Sequence, residues 1–190
     1  MTAPEGRRRL GVLLPVAALA LLLGWVPSYA AGTANPAGPL VRSTRAQTAR
    51  YRDVQAAMAA GYRPQQTDGA VVHYVNARYL NDDRVLDPRR PESLVYLRGR
   101  SGLRLVAAMF LMARPGERGP AIGGSRAGWH THTSCWGSGG LGIPVPGGSC
   151  PAGTNPVRTS EMLHVWLVDV PGGPFAIDMS TPIFHCGARA

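Results

Sequence analysis

No lysine occurs among the 190 residues: all twenty basic side chains are arginine, set against eleven acidic ones. A glycine-rich phosphate loop of the kind that closes on lysine is therefore absent, and so is a helical H-E-x-x-H zinc motif. Cysteine is scarce, three in all. None sits in a C-x-x-C pair, which removes a thioredoxin-like role. Charged residues make up only 16 % and aromatics 7 %, and no internal repeat is visible. A coiled coil is excluded. The 45 % hydrophobic content excludes a wholly disordered chain. The one long apolar run, Leu10 to Val26, is interrupted by Gly11, Pro15 and Gly24. At about 17 residues it rules out a multi-span membrane protein and is marginal even for one crossing.

What the amino terminus does have is the pattern of an export signal. Arg7, Arg8 and Arg9 precede the apolar run, and Ser28-Tyr29-Ala30 supplies small residues for cleavage after Ala30. Residues 1–30 are thus expected to be a signal peptide and the product extracytoplasmic or secreted. Uncleaved, the segment would instead anchor the chain, the one route by which membrane association is expected. Arg8-Arg9-Leu10-Gly11-Val12 has some likeness to a twin-arginine signal. Loss of Arg7, Arg8, Arg9 and Glu5 lowers the formal charge from +9 to +7. The remaining arginines are scattered and interleaved with Asp82, Asp83, Asp87 and Glu92, without an aromatic-and-basic stripe. Nucleic acid is accordingly not an expected partner, and no other partner is indicated.

An oxidising compartment favours pairing of Cys135 with Cys150 across a short Gly/Pro-rich loop, leaving Cys186 as the odd thiol. Cys186 pairing with one of the other two is the competing arrangement.

Residues 31–42 lack periodicity and read as a flexible tether, with a single domain over 43–190. Ser43 or Thr44 can cap a helix running to about Ala60, with Tyr51, Val54 and Met58 on one face and Gly61 and Pro64 past its end. Beyond it the pattern is of strands: Ala70–Leu80, Leu94–Leu97 and Leu103–Met112 joined as a hairpin, Trp129–Trp136, and Leu163–Val170. Between Pro115 and Thr154, 12 Gly and 5 Pro fall in 40 residues, so that stretch is expected to be mostly loop. The fold expected is α+β: one N-terminal helix packed on a mainly antiparallel sheet of about five strands, with a long Gly/Pro-rich loop region.

Four of the five histidines, His73, His130, His132 and His164, fall inside expected strands. Side chains two apart on a strand share a face, so His130 and His132 project together. With His73 and His164 on neighbouring strands, three or four imidazoles would converge on a transition metal, zinc or copper. Three with an open position suit catalysis and four suit a closed site. His185, beside Cys186, is not expected to join. Three functions compete. The first is a small exported metal-binding domain. The second is a metal-dependent enzyme in which three histidines hold the ion and Glu92 or Asp169 serves as general base. The third is a structural or ligand-binding envelope protein whose histidines are hydrogen-bonded core residues.

Two resemblances bear on this. Gly124, His130 and His132 match the G-x5-H-x-H opening of the cupins, but Trp136 and Gly137 stand where those proteins place an acidic ligand. Further stretches form a second set: Ala59-Ala60-Gly61-Tyr62, His73-Tyr74-Val75-Asn76, Leu86-Asp87-Pro88 with Arg90-Pro91-Glu92, Leu105-Val106-Ala107-Ala108, Leu163-His164-Val165-Trp166-Leu167 and Gly173-Pro174-Phe175-Ala176. In that order, and with Cys186, they resemble a group of exported bacterial proteins with HYVN, LDPxxPE and LHVWL signatures, over roughly residues 45–186. The group brings no established activity. It implies that His73, Asn76, Glu92 and His164 belong to one unit. Where relatives in that group carry Asn-Pro, this chain has Val170-Pro171 and Thr181-Pro182.

Overall fold

Helix α1 (Gly38–Thr48) starts within the stretch that composition assigns to a tether, with Pro39 in its first turn. Proline is pre-set for that position because its missing N–H has no intrahelical acceptor there. The single helix expected to reach Ala60 is divided. A 3-10 turn follows α1 over Ala49–Arg52, and Asp53 then becomes extended (φ −83°, ψ 117°). Its carboxylate accepts the Gln55 N–H at 2.9 Å and so caps a new helix, α2 (Val54–Ala59). Gly61, at φ +98°, takes the left-handed conformation that closes α2, with its N–H on the Met58 carbonyl. Tyr51 is buried, and Val54 and Met58 pack beside it, so the face read from the periodicity is the buried one.

The structure, a computed structural model, describes residues 37–68, 70–126, 128–137, 140–144, 150 and 152–177. The expected signal peptide, most of the expected tether, His185 and Cys186 lie outside these. The described residues all belong to one unit, Ala34–Ala190. Among them, no helix is long and apolar enough to cross a membrane.

Among the described residues, eight strands follow α2. They are β1 (Arg63–Asp68), β2 (Val71–Val75), β3 (Ser93–Gly99), β4 (Gly102–Leu111), β5 (Thr133–Gly137), β6 (Gly140–Pro144), β7 (Asn155–Arg158) and β8 (Met162–Trp166). Five of them build an antiparallel sheet in the order β1-β2-β3-β4-β8, and three a small sheet, β6-β5-β7. The fold is therefore α+β with a five-stranded antiparallel sheet, as the sequence pattern indicates. The β3–β4 hairpin turns at Arg100-Ser101, as its spacing implies. The expected strand over Ala70–Leu80 stops at Val75. There the Asn76 side chain accepts the N–H groups of Arg78 and Tyr79 and starts a short helix, α3 (Ala77–Leu80). Such local capping competes directly with strand continuation.

The main sheet is apolar on both faces. Val72, Tyr74, Leu94, Tyr96, Leu105 and Ala108 pack under the helices with Tyr51, Ala57 and Tyr62. Tyr96 Oη donates to the Tyr51 carbonyl at 2.6 Å, and Tyr62 Oη to the Pro91 carbonyl at 2.8 Å, so both buried phenols are satisfied. Val71, Val95, Leu97, Ala107, Met109, Met162 and Trp166 form a second buried cluster. Cross-strand pairing puts Val95, Ala107 and Trp166 in one row of the second face. The histidines belong to this face.

Candidate metal centre

His164 sits at the middle of β8, 2 % exposed. Directly across from it on β4 is Met109, and across from Met109 on β3 is Ser93. Directly opposed residues of an antiparallel pair project from the same face. The other edge of β8 is met by the segment before β5. His130 donates its N–H to the Met162 carbonyl at 3.0 Å and accepts the Met162 N–H at 2.8 Å. His132 is held next to it by paired bonds, its own N–H to Thr159 Oγ1 and the Thr159 N–H to its carbonyl, each 2.9 Å.

Three rings consequently cluster. The His130 and His164 imidazoles stack with centroids 5.2 Å apart, and His130 meets His132 edge to face at 4.9 Å. Trp166 stacks on the far side of His164 at 5.7 Å. His130 Nδ1 lies 2.8 Å from the Gly128 carbonyl and so carries the proton, which leaves a lone pair on Nε2. That Nε2 is buried without a hydrogen-bond partner, as are both ring nitrogens of His164 and the hydroxyls of Ser93 and Ser134. A buried polar atom left unpaired costs roughly 1–3 kcal/mol. The three unpaired nitrogens of the His130–His164 pair lie together, a costly arrangement for packing alone.

Burial holds the His164 imidazole well below its ordinary pKa, and the neighbouring His130, His73 and His132 push it further the same way. Burial also lowers His130, against the opposing pull of the Gly128 carbonyl. Both rings are neutral at physiological pH, the state a metal requires of imidazole. Among the described residues, no three His, Cys, Asp or Glu side chains stand gathered tightly enough to hold an ion as they are. Two rings bound to one tetrahedral zinc at about 2.1 Å have centroids about 5 Å apart, close to the His130–His132 and His130–His164 separations.

His73 lies on the same face and is among the imidazoles that act on His164. It is in the row of Val95, Ala107 and Trp166, on β2, three strand spacings from β8. The two acidic candidates are elsewhere. Glu92 is 2 % exposed, accepts the Leu111 N–H at 3.1 Å, and is pushed up to about 8, chiefly by burial. Asp169 is fully exposed, 3.9 Å from Arg45. The charges that act on His164 come from histidines, and neither carboxylate is among them. A cavity of about 540 Å³, lined by Arg45, Arg52, Arg104, Leu103, Leu105 and Leu167 among others, lies beside α1, and no histidine lines it.

Two supporting features have no signal in the sequence pattern. Glu161 accepts from Gly119 N–H and from the Arg126 guanidinium, both at 2.8 Å, and so ties the loop before His130 to the start of β8. Burial raises the Glu161 carboxyl, but these two donors outweigh it and hold the group ionised. Gly128, at φ +91°, brings its carbonyl to His130, and a Cβ there would approach Leu163 to 2.8 Å and Phe175 to 2.9 Å. The paired cysteines are Cys135 and Cys150, with Cα atoms 5.4 Å apart. The bond ties β5, immediately after the histidine pair, to Cys150 ahead of β7.

Compared with protein-family models, curated proteins and solved structures, the chain matches none.

Proposed function

We propose that this is a small exported domain that binds a transition metal through His130, His132 and His164. The observation that carries the reading is the stacked pair His164–His130, the first buried and the second partly so, with three buried ring nitrogens that have no hydrogen-bond partner. The Gly128 carbonyl on Nδ1 of His130 adds the orienting outer contact that metal-ligating histidines habitually have. The disulfide is compatible with an oxidising compartment, and the signal-like amino terminus supplies the route to it. His73 is on the same face, and its ring also acts on His164, so it stands beside that set as a fourth imidazole. A binding role is favoured over metal-assisted hydrolysis, since Glu92 and Asp169 both lie away from the rings and the cavity beside α1 has no histidine in its lining.

The test is metal content of the purified, tag-free protein by elemental analysis, beside the His130→Ala/His132→Ala variant. Near-stoichiometric metal in the parent and loss of most of it in a folded variant is the expected result. Equal metal in both, or none in either after incubation with zinc and copper, would defeat the reading.

A further inference from the structure

We infer that two thioethers, Met109 and Met162, complete the histidine cluster and make it a site for copper(I) rather than zinc. The inference rests on the metal-binding reading above. Its geometry is the strand register. Met109 lies directly opposite His164 across β4–β8, and Met162 directly opposite His130 in the bridge at the outer edge of β8. Opposed residues share a face with Cβ atoms about 4.5–5.5 Å apart, within reach of a methionine side chain. Met162 and His164 are also two apart on one strand, which puts them on that same face. Both methionines are buried, at 5 % and 6 % exposure.

The ordinary role of a buried methionine is to fill an irregular gap. Here the placement is selective. The core cluster on this side consists otherwise of Val71, Val95, Leu97, Val106, Ala107 and Trp166, and its two methionines are the two members opposed to His164 and His130. The chemistry then chooses the ion. Thioether sulfur is a soft donor, and imidazole with thioether selects copper(I) over harder divalent ions. Charge points the same way. Thioether sulfur and neutral imidazole bring no negative charge to offset a cation. The cost of placing an ion in a low-dielectric interior rises with the square of its charge, so a divalent ion meets about four times the penalty of a monovalent one.

The experiment titrates the metal-free protein anaerobically with copper(I), against a chromogenic copper(I) chelator, and separately with zinc(II). Both titrations are repeated on Met109→Leu/Met162→Leu, a volume-conserving change that a core tolerates. Copper(I) affinity is expected to fall by at least about tenfold in the variant, with zinc(II) affinity within about twofold of the parent. The sulfur scatterer in the copper X-ray absorption spectrum should disappear with it. Undiminished copper(I) binding overturns the inference and leaves the histidine reading standing, and so does an equal fall for both metals, which would assign the methionines to packing. Failure of the parent to bind either ion overturns both. Should the double variant not fold, each single variant is read in the same way.

Discussion

His164 and His130 lie ring on ring with centroids 5.2 Å apart and planes 28° from parallel. One ring is fixed from outside the cluster by the Gly128 carbonyl, while the other has no hydrogen-bond partner at either nitrogen. A fold keeps the unpaired His164 ring in its core at a cost, and that cost is measurable.

Replacing His164 by leucine removes two unpaired polar atoms from a fully buried position. The metal-free variant is expected to be more stable than the parent, by about 1–2 kcal/mol. Urea unfolding in the presence of a chelator measures it. Destabilisation of similar size would show that His164 is satisfied in its place and is held there for structural reasons.

Gly128→Ala should be harmful for two reasons. The backbone is left-handed at φ +91°, and the new methyl meets Leu163 and Phe175 at under 3.0 Å. A loss of about 2 kcal/mol or more is expected, together with weaker metal binding, because the carbonyl that orients His130 must move. Thermal unfolding and metal titration together separate the two effects.

Glu92 makes stability depend on pH. Its folded-state value, about 8, is raised above the ordinary carboxyl value of 4.5, first of all by burial. The native state therefore holds a proton that the unfolded chain gives up. The contribution is full below pH 4.5, declines as pH rises, and is gone above about 8. Stability should fall by a few kcal/mol across that window, and Glu92→Gln should flatten the decline. Urea midpoints for both proteins at several values between pH 5 and 8.5 settle the matter, and parallel slopes would exclude Glu92 as the source.

Cys135→Ser/Cys150→Ser opens a loop of 15 residues. The chain-entropy model gives a loss of about 3 kcal/mol. Calorimetry under non-reducing conditions checks it. A variant as stable as the parent would mean that the cross-link constrains little in the unfolded chain.

Much of this architecture could be read from residue order. A strand expected over Trp129–Trp136 set His130 and His132 on one side; the strand begins only at Thr133 and His130 makes an isolated bridge to Met162, yet the two rings do meet at 4.9 Å. The β3–β4 hairpin and the Cys135–Cys150 pair also followed from local spacing. Other features were hidden because their causes are local or distant in ways a pattern does not display. Asp53 and Asn76 divert the chain by capping, although the residues around them favour continuing helix and strand. Strand β1, Arg-Pro-Gln-Gln-Thr-Asp, has no apolar alternation because it is an edge strand, and β7 is exposed throughout. His73 shares a face with His164, but strand order alone, with β2 three places from β8, gives no sign that its ring acts on His164. Met109 and Met162 gained meaning only from register, and Gly128 only from its carbonyl.

The outer margin of β8 is occupied by main chain from two remote stretches, His130 against Met162 and Pro174 against Trp166. An open strand edge is a template on which a second molecule can zip. The histidine-bearing arm thus doubles as a cap on the sheet, so damage to it would expose a sticky seam open to pairing with another molecule.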